Sequence, residues 1–354
     1  MEQITKRKQR NTNLELFRII VMLLVISHHY VVNSGLTDLI NDSPLSANSI
    51  FLLLFGAWGK TAINCFVLIT GYFMCKSKIT VEKFLKLLLE LEFYKIVIYL
   101  IFNLTGYEHF SFSGMLSAIL PLSSVKSNFS GCYLLFYLFI PFLNILIQNL
   151  NQKMHGRLIL ICVFIYSILG TIPRVEVNMN YVSWFIILYL IAAYIRYYPN
   201  ERLQNKRPCG VWLLCMIIIS CLSIVGCAFY KPESGVYFFY HFLFDSNKLF
   251  ALITSISAFL FFKNISIKHN SIVNTLAAST YGVLLIHSNS DTMRAWLWSE
   301  VFKNCEMYHS KWLIIHAITS VIAIFLVCSL IDHIRIILLE KPFFRILHQH
   351  IEQR

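Results

Sequence analysis

The chain has 354 residues, of which 57% are hydrophobic, 15% aromatic and only 14% charged, a balance too apolar for a soluble globular domain and expected of an integral membrane protein. Thirty Lys and Arg stand against eighteen Asp and Glu, but the bases cluster in short loops between apolar stretches, which is a topology signal and excludes a nucleic-acid patch. The ten cysteines sit mostly inside apolar stretches, as Cys65, Cys132, Cys162, Cys215, Cys221 and Cys328 do, with no Cys-x-x-Cys pair; they read as buried small hydrophobes and imply neither a disulfide framework nor a metal site.

The basic start Lys6-Arg7-Lys8-Gln9-Arg10 precedes an apolar run as in a signal peptide, yet no small-residue cleavage motif follows, so that run is kept as a first membrane span. It carries Arg18 and His29 with ten residues between them. Eleven steps of about 100° turn a helix three times plus roughly 20°, so both side chains share one face about 16 Å apart along the axis. A guanidinium in an apolar span costs about 2.5–3.5 kcal/mol at mid-membrane and normally faces a partner or a wet cavity. Histidine adds a proton acceptor near neutral pH. The pair suggests a cation holding an anionic substrate at one depth and a base at another. The plainer alternatives are that Arg18 snorkels toward the headgroups or pairs with Glu15, and that His28 or His29 only caps the outer helix end.

Apolar stretches of about twenty residues recur near 15–33, 50–75, 84–104, 131–150, 157–172, 181–198, 211–230, 247–263, 271–289 and 311–334, predicting an all-α polytopic protein of about ten transmembrane helices. With the N-terminus inside, twenty Lys and Arg fall in inside segments against seven outside (Lys126, Arg174, Lys231, Lys248, Arg294, Lys303 and Lys311). Both termini are therefore expected in the cytoplasm. One domain is expected over 1–354: a basic N-terminus 1–13, a helix bundle 14–334 and a basic C-terminus 335–354. The connections 105–130, 231–246 and 290–310 are too short to fold alone. The last holds Asp291, Arg294, Trp296, Trp298, Glu300 and Glu306, which suits an outer acceptor site or an interfacial aromatic belt; the belt is the favoured expectation.

Other polar residues fall at membrane depth. Lys60 and Asn64 lie one turn apart on the second span, and Lys95 on the third sits close to Glu90 and Glu92; a buried network in which such residues pair with one another is expected. His287 ends the ninth span, where it either converges with His29 or is satisfied at a helix end. Gly71 permits close helix packing or a bend. No Walker loop, dinucleotide fingerprint, His-Glu-x-x-His or Gly-x-Ser-x-Gly elbow occurs.

In order along the chain these segments resemble the acyltransferase-3 family of multi-pass membrane acyltransferases, many of which O-acetylate bacterial surface polysaccharides. Asn13-Leu14-Glu15-Leu16-Phe17-Arg18 through His29 reproduces the family's Arg-x10-His signature, and Phe66-Val67-Leu68-Ile69-Thr70-Gly71-Tyr72-Phe73 resembles its second-helix segment. Pro141-Phe142-Leu143-Asn144, Trp184-Phe185 with Leu188-Tyr189-Leu190, and Thr280-Tyr281-Gly282 to Ile286-His287 resemble later helices. Thr70 stands where members often carry Ser, and Lys83 and Lys86 where they often carry paired arginines; lysine lacks the bidentate fork for phosphate.

The resemblance implies a plasma-membrane enzyme, bacterial in setting, with acyl-CoA (acetyl-CoA foremost) as co-substrate and no further cofactor or metal. Arg18, Lys78, Lys83 and Lys86 would attract the donor's phosphates. His29 would deprotonate a hydroxyl of a surface glycan or its lipid-linked precursor, or carry the acyl group itself. His28, Lys60, Asn64 and His287 would support the acceptor side. Two other classes stay open: a transporter or flippase of a lipid-linked sugar, and a non-catalytic partner of a glycan synthase.

Overall fold

The computed structural model describes residues 11–120 and 129–352; the basic residues Lys6, Arg7, Lys8, Arg10, Lys126 and Arg354 lie outside them. The described chain is helical throughout, without strands. In order the helices are α1 (Thr12–Val32), α2 (Leu36–Asp42), α3 (Ala47–Gly56), α4 (Gly59–Met74), α5 (Val81–Leu104), α6 (Phe112–Ile119), α7 (Phe129–Asn149) and α8 (Gln152–Val163), which runs into a π-helical turn over Phe164–Leu169. There follow α9 (Tyr181–Tyr197), α10 (Glu201–Gln204), α11 (Lys206–Tyr230), α12 (Val236–Phe239), α13 (Leu249–Asn264), α14 (Ser271–Ala278), α15 (Thr280–His287), α16 (Asp291–Ala295), α17 (Leu313–Arg335) and α18 (Lys341–Glu352).

Every stretch expected as a span is helical, with two of them interrupted. The second is broken at Ala57 and Trp58 between α3 and α4, and the ninth at Ser279 between α14 and α15. Among the described residues six helices are long and apolar enough to cross a membrane: α1, α3 with α4, α7, α8 with its π turn, α11, and α17 with its continuation. Helices α9 and α13 and the α14–α15 pair are apolar but shorter. Helix α5 is long but carries Glu82, Lys83, Lys86, Glu90, Glu92 and Lys95. Starts are marked by side-chain caps that satisfy orphan amides: Ser46 accepts from Ser49 N before α3, Thr80 from Lys83 N before α5, and Asn180 from Ser183 N before α9.

Helix α1 is the axis of the bundle, packed by α3, α4, α13, α14, α15 and α17. Its buried Leu14, Phe17, Val21, Met22, Ile26 and Tyr30 supply the centre of the core. At its start Asn13 donates from Nδ2 to the carbonyls of Phe262 (2.7 Å) and Lys263 (3.2 Å), which ties it to the last turn of α13. Gly71 meets the expectation of close packing: a Cβ there would lie 2.9 Å from Ala192 Cβ. Large aliphatics stay exposed on α11 (Val211, Leu214, Ile218, Leu222) and α17 (Ile314, Ile318, Ile322, Leu326), as lipid-facing sides require. Cys215 is exposed on that flank of α11, against the expectation of burial, while Cys65, Cys132 and Cys328 are buried.

Two expectations are corrected in part. Within the 290–310 segment Trp298 is no belt residue: it is fully buried, its ring 5.8 Å from and edge-on to Tyr30, and Asn304 Nδ2 donates to the Tyr30 carbonyl at 3.0 Å. The segment folds back over the end of α1, where Asn304 and Cys305 donate to the carbonyls of Tyr30 and Ser34, while Trp298 Nε1 and Asn304 Oδ1 have no partner among the described residues. Lys95 meets its expectation only in part: its charge is felt at Glu92, but its hydrogen bonds go elsewhere. Its Nζ donates to the carbonyls of Ser117 and Leu120 (2.9 Å each) at the end of α6, while Glu90 pairs with Arg335 at 3.2 Å. Arg335 also binds Asp332 (2.9 Å) and Glu340 (3.0 Å), and Tyr94 donates to Asp332. This buried cluster joins α5 to α17, since one carboxylate at membrane depth needs a cation brought from another helix.

Candidate active site

Near the end of α1 the bundle opens into a cavity of about 670 Å³. Its walls come from α1 (His28, His29), α4 (Gly59, Lys60, Phe66), α5 and α6 (Lys95, Ser117), α7 (Phe129, Ser130), α9 (Tyr181) and the segment after α15 (Asp291, Arg294). Helix α1 places two consecutive histidines at this wall, and their environments separate their roles.

His28 is locked. Its Nδ1 lies 2.6 Å from the Gly56 carbonyl; since a carbonyl only accepts, Nδ1 carries the proton and donates. A Cβ at Gly59 would overlap the His28 ring, so the glycine is what lets the ring sit against α4.

His29 is connected differently. Its Nδ1 lies 3.0 Å from Nε2 of His287, which is fully buried. The Nδ1 of His287 is 2.6 Å from the Val283 carbonyl and must donate to it. With both rings neutral, His287 Nε2 then has only a lone pair, and His29 Nδ1–H donates to it. The chain of bonds leaves the lone pair of His29 on Nε2, the tautomer a general base needs. The alternative in which His287 is merely satisfied at a helix end is thus half right: one of its nitrogens is satisfied there and the other orients His29.

Lys60 faces the same cavity. Its Nζ donates to Tyr181 OH at 2.7 Å and lies 3.9 Å from Asp245. Asn64, one turn on, is fully buried and does not line the cavity: it accepts from Trp184 Nε1 (2.8 Å) and donates to the Ser246 carbonyl (2.7 Å). Lys60 and Asn64 therefore do not touch each other but are joined through the adjacent Asp245 and Ser246, the Asp245 carboxylate near Lys60 also accepting from Ser246 N at 2.7 Å. Arg294 completes the cationic lining and pairs with Asp291.

The residues expected at the donor end lie apart from this cavity. Arg18 pairs with Glu15 at 3.4 Å, is 28% exposed, and is close enough to Tyr133 for its charge to be felt there. Tyr133 OH and Thr70 OH are 2.8 Å apart, one turn from the cavity-lining Phe129 and Phe66 respectively, so this pair forms the level between Arg18 and the cavity. Lys83 Nζ donates to the Lys78 carbonyl at 2.9 Å, and Lys86 pairs with Glu82 at 3.0 Å with its Nζ 4.8 Å from the Phe344 ring. Lys78 and Lys83 are exposed. Sequence reasoning did not single out Tyr181 or Asp245 as partners of Lys60; they lie 121 and 185 positions away in the chain, and no local signal announces them.

The comparisons bear on what this chamber does. No curated protein and no solved structure matches the chain. A family model described as an acyltransferase domain matches residues 11–333, nearly its whole length, including the helix that carries Arg18 and His29. By that match the chain belongs to the acyltransferase-3 family and is a membrane acyltransferase.

Proposed function

We propose that the protein moves an acyl group, acetyl foremost, from a cytoplasmic acyl-CoA to a hydroxyl of a cell-surface glycan or its lipid-linked precursor, in a bacterial plasma membrane. The observation that carries this reading is the His29–His287–Val283 chain of hydrogen bonds at a cavity wall. The membership in an acyltransferase family supports group transfer and gives no support to the transporter reading.

In this reading ten spans cross the membrane with both termini inside, as the loop charges favour. The Asn13 end of the bundle then faces the cytoplasm and the His29 cavity lies toward the outer side. Arg18 and the exposed Lys78 and Lys83, with Lys86, draw the polyanionic donor to the Asn13 end. The acyl arm passes the Thr70–Tyr133 level into the cavity. There the acceptor oxygen attacks the thioester carbonyl while His29 Nε2 takes the hydroxyl proton. As the carbon–sulfur bond breaks, the proton passes to the departing thiolate, giving an ester and a free thiol. The Lys60 ammonium, anchored on Tyr181, supplies positive charge for the oxyanion that forms on the way.

Acyl analysis of surface glycan in cells with the wild-type chain, with His29→Ala and without the protein tests this. Loss of ester-linked acyl groups with glycan still exported supports transfer. Lost surface glycan whose remaining acyl content is unchanged points instead to transport.

A further inference from the structure

At the Asn13 end four segments of chain converge on a second cavity, of about 490 Å³. Helix α4 and the turn after it bring Tyr72 and Lys76, α9 brings Arg196, the turn around α10 brings Asn200 and Gln204, and the end of α13 brings Lys263. Three cations line it, and among the described residues no carboxylate does. It lies on the α9–α13 side of α4, whereas Phe66 and Thr70 of the same helix face the His29 cavity and Tyr133.

The cations are held apart and in place by neutral groups. Arg196 Nη1 donates to Tyr72 OH at 2.6 Å, and the guanidinium carbon lies 4.5 Å from the centre of that ring. Lys263 Nζ donates to Asn264 Oδ1 at 2.6 Å, and Asn264 is itself fixed by the Leu203 carbonyl at 2.8 Å. Lys76 Nζ sits 4.7 Å from the Tyr197 ring centre. The Nε of Arg196 is buried and has no partner among the described residues, an unusual state for a guanidinium donor. Like charges gathered round one cavity repel each other, and neutral partners do not remove that repulsion. A bound anion does.

We propose that this cavity is a binding site for a phosphate-bearing group. Three cations favour an anion, a guanidinium presents the planar fork that phosphate oxygens accept from, and the amides of Asn200 and Gln204 add neutral donors. The space admits far more than a single carboxylate. The site is separate from the His29 cavity; its phosphate chemistry does not rest on the reaction proposed there, and of its two sources only the nucleotide does. Two sources share this chemistry: the phosphorylated nucleotide of a soluble donor, and the headgroup of an anionic phospholipid.

The test uses the full chain purified in neutral detergent and in nanodiscs. Adenosine 3′,5′-bisphosphate binding is measured by equilibrium dialysis, and retention of phosphatidylglycerol against phosphatidylcholine by native mass spectrometry. The wild type should hold one of the two probes, and Arg196→Gln with Lys263→Gln should weaken that retention at least tenfold. Arg196→Lys should fall between, and Lys153→Gln, which removes one exposed charge elsewhere, should stay within twofold. Retained bisphosphate identifies a nucleotide site, and retained lipid alone a headgroup site. Should the double variant aggregate, Lys76→Gln at the rim is read instead, with at least threefold weakening expected. If the wild type holds neither probe, or the variants hold it as well as the wild type does, the proposal is wrong.

Discussion

Replacing His287 by Ala separates a positioned base from a histidine that merely lines a wall. In the wild type His29 Nδ1–H has one acceptor, His287 Nε2 at 3.0 Å, and that bond fixes the proton on Nδ1. Without it a buried N–H is left unpaired, at a cost of about 1–3 kcal/mol. The tautomer with the proton on Nε2, which cannot accept from a substrate, is favoured by the same amount. The base-competent fraction and kcat should then fall by about 5- to 150-fold, with the KM for the acyl donor unchanged because His287 touches only His29 and α15 backbone through its two nitrogens. His287→Gln can present a side-chain carbonyl to Nδ1–H and should recover part of the loss. The assay is transfer of radiolabelled acetyl from acetyl-CoA to the glycan fraction of membrane vesicles, normalised to protein in the membrane. A His287→Ala enzyme within twofold of wild type, beside an inactive His29→Ala, would refute the orienting role.

Other substitutions follow from the same geometry. His29→Ala should lower transfer by about 10²–10⁴-fold, the range general-base catalysis supplies, with normal membrane insertion by fractionation. His28→Ala should leave measurable turnover, since that ring donates to the Gly56 carbonyl and is not in the His29–His287 pair; equal inactivity of the two would undo the distinction. Arg18→Ala should weaken acyl-CoA affinity and Arg18→Lys should weaken it less; equal affinity in all three proteins would make Arg18 a Glu15-paired anchor. Asn64→Ala strands Trp184 Nε1–H and should cost about 1–3 kcal/mol of stability, read as a lower thermal midpoint in detergent. Cysteines at Ser77 and Ser299 in a cysteine-free background should label from opposite sides with an impermeant thiol reagent, Ser299 in intact cells; labelling of Ser77 from outside would invert the chain.

What could be read from the sequence was the part that depends on local periodicity. The face shared by Arg18 and His29, the helical stretches and the tight packing at Gly71 all follow from residues within a few turns of one another. The convergence of His287 on His29 was one of two open readings, because hydropathy places both near one end of the bundle but says nothing of azimuth. Partners chosen across the fold were not legible. Lys60 takes Tyr181 and Asp245, Lys95 takes two carbonyls of α6, and Glu90 takes Arg335. Trp298 looked interfacial because a tryptophan near a span end normally is, whereas in the fold its ring is buried against those of Tyr30 and Phe302. Arg196 and Lys263 counted as loop charges, and it takes three dimensions to bring them to one cavity.

The spacing along α1 also constrains how the chemistry can be divided. Arg18 and His29 are about 16 Å apart on an ideal helix, so one substrate group of ordinary size cannot touch both. A cation at one depth and a base at the other are useful together only if something extended runs between them. In the reaction proposed above that interval holds the Thr70–Tyr133 hydroxyl pair, 2.8 Å apart, with the cavity-lining Phe66 and Phe129 a turn beyond it. Under the proposed reaction the donor's arm is the piece that would cross, and the acceptor would meet it in the chamber where Lys60, Tyr181 and Arg294 stand. Narrowing this level with Thr70→Ile, which removes a hydroxyl and adds bulk, should hinder transfer more for long acyl groups than for acetyl. Equal loss for all chain lengths would mean that the arm takes another path.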